Sequence, residues 1–250
     1  MTARKKGTVT AAGSRKGKAE GTEVIEKSWR RGNRVEKSEQ LRDALVQAAA
    51  AVVGEVGYAN ASIALITARA NVAQGTFYNY FESRQDILDA LLPTLGEKML
   101  AHIKECAREG NGFADIERRG FNGFFSFLKK TPHFFRILNE AESFAPTGHK
   151  QHFDNIARKY LRLFQRLKRD GEFPNYSEQE LEAVIYILMA ARSYLALRFV
   201  YGKEQNDDLP DWVANTYMRF VRYGLEGAPA ASRQPTQELE IEDVSGTTGG

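Results

Sequence analysis

The chain has 250 residues, of which 42% are hydrophobic and 27% charged, and its formal net charge is +3. This size allows one large domain or two small ones with a sizeable core. A single cysteine, Cys106, excludes an internal disulfide framework, and no run of about 18 apolar residues is present to span a bilayer. No apolar segment follows the basic N-terminal residues, so we expect no signal peptide and a cytoplasmic protein.

The charge is unevenly distributed along the chain. Residues 1–37 contain eleven Lys and Arg against four Glu, whereas residues 38–89 contain three Arg against six acidic residues. A basic segment ahead of a nearly neutral domain indicates a polyanionic partner, although basic tails also occur as merely solubilising segments. The composition predicts that residues 1–36 and 228–250 are disordered.

The first predicted helix follows the basic segment. Its apolar residues recur at steps of three and four, and Gly57 suits its C-terminal end. The residues at this spacing are Leu41, Leu45, Ala48, Val52 and Val56.

Two short helices are predicted next. Ser62 caps the first of them, which ends at Arg69, and the second spans about residues 73–79. The turn between them, Ala70-Asn71-Val72, has the length of a helix-turn-helix, and Asn71 tolerates the positive φ that it requires. The pattern therefore predicts that the second helix is presented outward.

Six longer helices complete the predicted order. Ser83 and Asp86 form a capping box at the start of the fourth helix, which Pro93 should bend. Thr131 and Pro132 predict the start of the sixth helix. The fourth helix is followed as far as residue 103, and the other predicted ranges are 113 to about 130, 131–143, 150–169, 178–201 and 211–225. With no strand-like alternation, the fold class is all-α, with a DNA-binding domain over residues 37–84 and a regulatory domain over residues 85–227.

The second short helix has the features of a DNA-reading element. Gly75 costs helix propensity but permits close approach to DNA. Amide and hydroxyl side chains can reach base edges, and tyrosine hydroxyls can reach phosphates, while Phe77 and Phe81 pack inward. The predicted DNA contacts are Ser62, Arg69, Gln74, Gly75, Thr76, Tyr78, Asn79, Tyr80 and Arg84, with Arg30, Arg31 and Arg34 from the basic segment in the minor groove.

Residues 57–88, GYANASIALITARANVAQGTFYNYFESRQDIL, resemble the DNA-binding segment of the TetR/AcrR family of transcriptional regulators. The resemblance covers about residues 38–90. Ala73 stands where the family usually has a capping Ser, and Asn71 where it has Gly. The resemblance implies a homodimer formed by the eighth and ninth helices and a ligand pocket enclosed by the fourth to eighth.

The regulatory half is rich in aromatic residues, most of which must be core. Together with the pocket that the resemblance implies, they predict a hydrophobic effector, aromatic or fatty-acyl. Arg192 interrupts an apolar helix, so it needs either an acidic partner or an anionic ligand. The predicted ligand-binding residues are Phe121, Phe124, Phe125, Phe134, Phe135, Glu140, Phe144, His152, Tyr186, Met189 and Arg192.

The eighth helix is apolar on opposite faces, so it needs two burial partners. One is the domain's own core, and the other is a second subunit. The predicted dimer-interface residues are Leu188, Leu195, Phe199, Trp212 and Tyr217.

These patterns predict a homodimeric repressor that a hydrophobic small molecule releases from a palindromic operator in the bacterial nucleoid. We expect no catalytic residues, metal, cofactor or membrane partner. The alternatives are a ligand-independent DNA-binding or adaptor protein, a nonspecific DNA-compacting protein, and an enzyme using Glu140, His133 or His152. No nucleophile and base are recognisable for the enzyme.

Overall fold

The computed structural model describes residues 34–201 and 209–226, with side chains from residue 36 onward. Within these ranges the chain forms nine helices and no strand, which confirms the all-α fold. The two segments predicted to be disordered lie outside the described residues, except for the first residues of α1. The helices are α1 (Arg34–Asn60), α2 (Ile63–Ala70), α3 (Gln74–Phe77), α4 (Arg84–Ala107), α5 (Gly112–Lys130), α6 (Phe134–Phe144), α7 (Pro146–Arg169), α8 (Glu178–Phe199) and α9 (Asp211–Glu226).

Gly57 interrupts α1 rather than ending it. Its backbone has φ 80° and ψ 165°, a conformation that is essentially restricted to glycine. A Cβ at this position would lie 2.8 Å from the Arg136 guanidinium of α6. Gly57 therefore provides both the kink in α1 and the room for α6 to pack against it.

The helix-turn-helix has the turn that the sequence predicts, but its second helix ends at Phe77 rather than near residue 79. Asn71 adopts the left-handed conformation with φ 55° and ψ 47°, and its N–H bonds to the carbonyls that end α2. Ser62 accepts a hydrogen bond from the Leu65 N–H at 3.2 Å. Ala73 occupies the capping position of α3 and provides no side-chain bond. Phe77 and Ile66 are fully buried and join the two helices to α1 and α4.

Helix α4 continues through Pro93 and connects the two halves of the chain. Because proline lacks an N–H, the carbonyl of Asp89 loses its usual helical donor. Gly148 of α7 packs directly against this carbonyl, since an added Cβ would lie 2.1 Å from the oxygen. The Gly148 N–H also donates to the Asp89 carboxylate at 3.1 Å. Pro93 and Gly148 thus set the contact of α4 with α7.

Two predicted helix starts are wrong. Helix α6 begins at Phe134, because Thr131 and Pro132 form a separate turn in which the Phe134 N–H bonds to the Thr131 carbonyl. Helix α7 begins at Pro146, several residues before the predicted start, because proline fits the first turn of a helix. Sequence periodicity did not show this because the first turn of α7 is polar.

The regulatory half is a bundle in which α4 packs on α5 and α7, α8 packs on α7, and α9 packs on α5. Its core is largely aromatic. At one end, Phe113, Phe164 and Phe173 contact each other with ring centroids 4.9–5.2 Å apart. Nearer the middle, Phe121 stacks on Tyr217 at 4.3 Å. Most of the aromatic residues are therefore structural, as predicted.

Candidate DNA-binding surface and ligand cavity

Helix α3 presents an open polar face. Gln74, Gly75 and Asn79 are exposed, and Thr76 is half-buried. No heavy atom lies within 4 Å of the position that a Cβ on Gly75 would occupy. Packing within the chain therefore does not require glycine here. This favours the interpretation that Gly75 lets a binding partner come close to the helix backbone.

The four aromatic residues after Gly75 divide by burial. Phe77 and Phe81 are buried and contact each other at 5.7 Å. Tyr78 is 58% exposed and leans its edge on Phe77. Tyr80 is half-buried against the core, so it is a weaker candidate for a phosphate contact than its predicted outward position suggested.

Two of the predicted DNA-binding arginines have partners within the chain. Arg69 forms a two-pronged ion pair with Glu55 of α1, with N–O distances of 2.9 and 2.5 Å. Arg84 donates to the carbonyls of Ala61 at 2.5 Å and of Tyr58. Arg84 therefore caps the C-terminal end of α1, and we no longer assign it to phosphate. The start of α4 has its own capping hydrogen bonds. Ser83 accepts from the Asp86 N–H, and the Asp86 carboxylate accepts from the Glu82 N–H.

The predicted minor-groove residues are not part of this surface as described. Arg30 and Arg31 lie outside the described residues, as does the side chain of Arg34. Their contact with DNA stays a prediction.

Helix α6 joins the DNA-binding unit to the regulatory half. The Arg136 guanidinium donates to the Gly54 carbonyl at 3.0 Å and to the Glu140 carboxylate at 2.7 Å. Glu140 accepts the backbone N–H of Tyr58 at 2.9 Å. Burial opposes the ionisation of Glu140, but these hydrogen bonds outweigh it and hold its pKa below the ordinary value. Glu140, predicted to bind ligand, therefore fastens α6 to the end of α1.

A cavity lies inside the bundle and is lined by α4 to α8, the helices that the family resemblance implies. Its open volume is about 40 Å³, room for a few water molecules at most. It is lined by Met99, Leu100, Ile103, Phe124, Phe134, Leu138, His152, Phe153, Ile156, Tyr160, Met189, Arg192 and Ser193.

Five predicted ligand residues line this cavity, namely Phe124, Phe134, His152, Met189 and Arg192. The other six do not. Phe121 and Phe125 pack against each other, Phe135 packs on Tyr201, and Phe144 stacks on Tyr58. Tyr186 is exposed on α8, and Glu140 lies at the α1–α6 junction. Sequence periodicity identified buried aromatics but not which of them border empty space.

Arg192 has an acidic partner within the chain. Of the two alternatives predicted from the sequence, an acid or an anionic ligand, the structure shows the acid. Its Nη2 donates to Glu117 Oε1 of α5 at 2.6 Å, and both residues are buried. Burial opposes the charge on Arg192, but the Glu117 carboxylate outweighs it and raises the pKa of the guanidinium. The sequence reading missed Glu117, although an acid on the face of α5 shared with Gly120, Phe121 and Phe124 was a signal.

His152 is a second buried titratable group at the cavity. Burial and the nearby His149 lower the pKa of its imidazole to about 4. The ring contacts Phe134 and Phe153. His152 is therefore neutral near pH 7 and adds no charge to the cavity wall.

A second apolar surface runs along α8 and α9. On α8 the exposed positions recur at helical spacing, and Tyr194 is 73% exposed. Of the predicted interface residues, Trp212 lies on this surface and Leu195 and Phe199 are half-buried beside it. Leu188 and Tyr217 are buried in the subunit's own core, so their assignment to the interface is wrong. The surface consists of Ala183, Ile187, Ala190, Tyr194 and Leu197 on α8, Tyr201 just after it, and Trp212, Phe220 and Tyr223 on α9.

Among the described residues, no helix combines the length and the apolar character that a bilayer crossing needs.

Comparison with known proteins finds relatives of the helix-turn-helix region. Residues 45–91 match the family model described as bacterial regulatory proteins, tetR family. The chain is 45% identical over 58 residues to the HTH-type transcriptional regulator YvdT of Bacillus subtilis, which is 23% of this chain but only 28% of YvdT. It is 20% identical over 181 residues to YhgD of the same organism, covering 72% of this chain and 94% of YhgD.

Solved structures show that the likeness extends to the whole bundle. The regulator FadR from Bacillus subtilis in complex with stearoyl-CoA is 17% identical with a TM-score of 0.62, over 75% of this chain and 99% of FadR. A TetR-family regulator from Syntrophomonas wolfei is 18% identical with a TM-score of 0.63, over 77% of this chain and 98% of its own. At such identities the likeness establishes the fold.

Proposed function

We propose that the chain, whose residues 45–91 match the family model described as bacterial regulatory proteins, tetR family, is a homodimeric repressor released from a palindromic operator by a fatty-acyl molecule. The observation that carries the proposal is the exposed face formed by α3 and the turn that follows it. Gln74, Gly75, Tyr78 and Asn79 stand free of the core, while Phe77 anchors the helix beneath them.

Helix α3 is the proposed reading element. Gln74 and Asn79 supply amides that pair with adenine, and the Thr76 methyl suits a thymine methyl. The exposed hydroxyl of Tyr78 donates to a phosphate, which sets position rather than sequence preference. The smooth surface at Gly75 lets the helix backbone lie close to the groove.

The apolar surface of α8 and α9 is the proposed dimer interface. Exposed aromatic and aliphatic residues at helical spacing on two adjacent helices suit a four-helix contact between two copies. Such a dimer places two α3 helices against successive major-groove segments, and its two-fold symmetry matches a palindromic operator.

The cavity is the proposed effector site. Its wall is mostly aliphatic and aromatic, and the related fold of Bacillus subtilis FadR was solved with stearoyl-CoA. An acyl chain is far larger than the present open volume of about 40 Å³. Binding therefore requires the flexible side chains of Met99 and Met189 to move, and with them the helices that carry them.

Helices α4 and α6 are the proposed route from cavity to DNA. Phe134 and Leu138 of α6 face the cavity, while Arg136 and Glu140 of the same helix hold the end of α1. Helix α4 borders the cavity at Met99 and begins beside α3. A ligand that prefers the displaced helices lowers the population of the conformer that binds DNA.

The proposal is tested by selecting an operator from random DNA and measuring its affinity with and without acyl ligands. We expect a palindromic site bound by two subunits, with affinity reduced by at least one acyl ligand. Uniform affinity for all sequences with a steep dependence on salt indicates nonspecific compaction instead.

The small cavity favours one alternative, a ligand-independent DNA-binding or adaptor protein. In that case the operator is bound specifically, but acyl ligands neither bind the protein nor change the affinity. Direct titration of the DNA-free protein with ligand distinguishes a ligand that does not bind from one that binds without changing the operator affinity.

The basic N-terminal segment is proposed to add minor-groove contacts through Arg30, Arg31 and Arg34. Deleting residues 1–35 should weaken operator binding and flatten its dependence on salt, because fewer counterions are released. Unchanged affinity in the truncated protein contradicts this role.

A further inference from the structure

The cavity wall contains a buried hydrogen-bond donor without a partner. Arg192 lines the cavity and is 6% exposed, and its Nη2 is bonded to Glu117. Its Nε has no hydrogen-bond partner within the described part of the chain. Buried N–H groups nearly always have an acceptor, so this one is left for a water molecule or for a ligand oxygen.

The charge of Arg192 is nevertheless already balanced. Glu117 accepts hydrogen bonds from Arg192 at 2.6 Å and from the Tyr217 hydroxyl at 2.5 Å, with the Tyr160 hydroxyl at 3.5 Å. The imidazole of His152, on the same wall, is neutral near pH 7 because burial lowers its pKa to about 4. The cavity wall at Arg192 therefore offers the Nε–H as a donor but carries no net positive charge.

We propose that this site selects a neutral carbonyl oxygen, as in an acyl ester, thioester or ketone, and disfavours the free carboxylate of the same chain. A carbonyl accepts the Nε hydrogen and leaves the buried charge unchanged. A carboxylate places a second negative charge beside Glu117 in a site with little water, which is costly without a second cation. The inference rests on the proposed function, since it names the ligand class of the same cavity.

The rest of the wall suits the hydrocarbon part of such a ligand. Met99, Ile103, Phe124, Ile156 and Met189 are apolar and border the same space as Arg192. The hydroxyl of Ser193 donates to the Met189 carbonyl at 3.1 Å, so its hydrogen is not available to a ligand. The donor at Arg192 thus fixes the carbonyl end, and the apolar wall takes the chain.

The test is a comparison of four probes that share one chain, namely methyl decanoate, the ethyl thioester of decanoic acid, decanoate and decane. Their dissociation constants are measured on the full chain near pH 8, where decanoate is ionised. We expect the ester and the thioester to bind about tenfold or more tightly than decanoate and decane, the effect of one hydrogen bond from a charged donor.

Two variants test the cause of the preference. Arg192→Met with Glu117→Leu replaces the buried ion pair by apolar side chains and removes the donor, so the ester should lose its advantage over decane. Glu117→Gln keeps an acceptor for Arg192 and Tyr217 but leaves the arginine charge unbalanced, so decanoate should become the preferred probe. Arg198→Lys, at an exposed position of the same helix, should leave the order of the four probes unchanged.

Decanoate binding as tightly as the ester to the unaltered protein overturns the inference, and this comparison requires no variant to fold. An ester advantage that survives Arg192→Met with Glu117→Leu also overturns it. Equal binding of all four probes refutes carbonyl selection but leaves the effector cavity in place. Absence of binding by all four, with operator affinity unchanged, rejects the proposed acyl response together with the inference.

Discussion

The carboxylate of Glu140 on α6 accepts the backbone N–H of Tyr58 at 2.9 Å and so ties the regulatory half to the end of α1. Arg136, one turn earlier, bonds to Glu140 and to the carbonyl of Gly54. The opposite face of α6 carries Phe134 and Leu138 to the cavity wall. One helix thus contacts both proposed sites.

We expect Glu140→Ala to weaken the effect of ligand on DNA binding. The change leaves the Tyr58 N–H and Arg136 without their carboxylate, which should also lower the free energy of unfolding by about 1 kcal/mol. The measured quantity is the ratio of operator dissociation constants with and without an acyl ligand, which should shrink about fivefold. Glu142→Ala, at an exposed position of the same helix, is the control. A ratio equal to that of the control rules out this route.

Gly75→Ala should separate stability from DNA affinity. A Cβ at Gly75 meets no atom within 4 Å, so alanine should raise the stability by up to about 1 kcal/mol through helix propensity. Operator affinity should fall, because the methyl group stands where DNA approaches. Gly224→Ala on α9, where a Cβ also meets nothing, should leave DNA affinity unchanged. Thermal unfolding and DNA titration of both variants decide the matter, and unaltered affinity for Gly75→Ala refutes a close approach.

Ala73→Ser should restore a missing helix cap. Ala73 has the extended conformation of a capping residue, with φ −69° and ψ 147°, but no side-chain oxygen. A serine there should stabilise the protein by about 1 kcal/mol, and Ser62→Ala at the neighbouring cap should destabilise it by a similar amount. Denaturant unfolding of both variants measures the two effects. An Ala73→Ser variant no more stable than the parent indicates that α3 does not accept the cap.

Tyr194→Glu should disrupt the proposed dimer. Tyr194 is 73% exposed near the middle of the apolar surface of α8, and a two-fold contact would bring two added charges into one interface. We expect the dimer dissociation constant to rise about a hundredfold, as measured by sedimentation velocity. Gln151→Glu adds the same charge at an exposed position on α7 and should have no effect. An equally strong dimer in both variants places the interface elsewhere.

His152 should make the fold sensitive to acid. Because burial lowers the pKa of its ring to about 4, the unfolded chain, with a histidine pKa near 6.5, binds the proton more readily than the folded chain. Stability is therefore lost as the pH falls from about 6.5 toward 4, by about 2–3 kcal/mol in total. His152→Gln should remove this part of the acid dependence, and His149→Gln should retain it. The free energy of unfolding at several pH values in this window tests the sign, and parallel curves for parent and His152→Gln would contradict it.

The features that depend on neighbouring residues were predictable from the sequence. Asn71 takes the positive φ of the turn, Ser62 and Ser83 cap their helices, and Gly57 takes a positive φ near the end of α1, because each is governed by the backbone within one helical turn. The same local rules located the helix-turn-helix and the order of the nine described helices. Two helix starts were misplaced, because Thr131 and Pro132 form a turn before Phe134 and because the first turn after Pro146 is polar.

The features that depend on how helices pack were decided by the tertiary structure alone. Glu117 and Arg192 are 75 residues apart in sequence, and nothing local to either one indicates that they pair. The sequence alone suggested that Arg84 contacts DNA. In the fold it bonds instead to the carbonyl of Ala61 at the end of α1, 23 residues away in sequence. Periodicity shows that a helix such as α8 has apolar faces, but which face meets its own core depends on its rotation in the bundle. For that reason the sequence by itself determined the helix-turn-helix and its resemblance to a family of regulators, while the lining of the cavity and the exposed face of α8 required the three-dimensional arrangement.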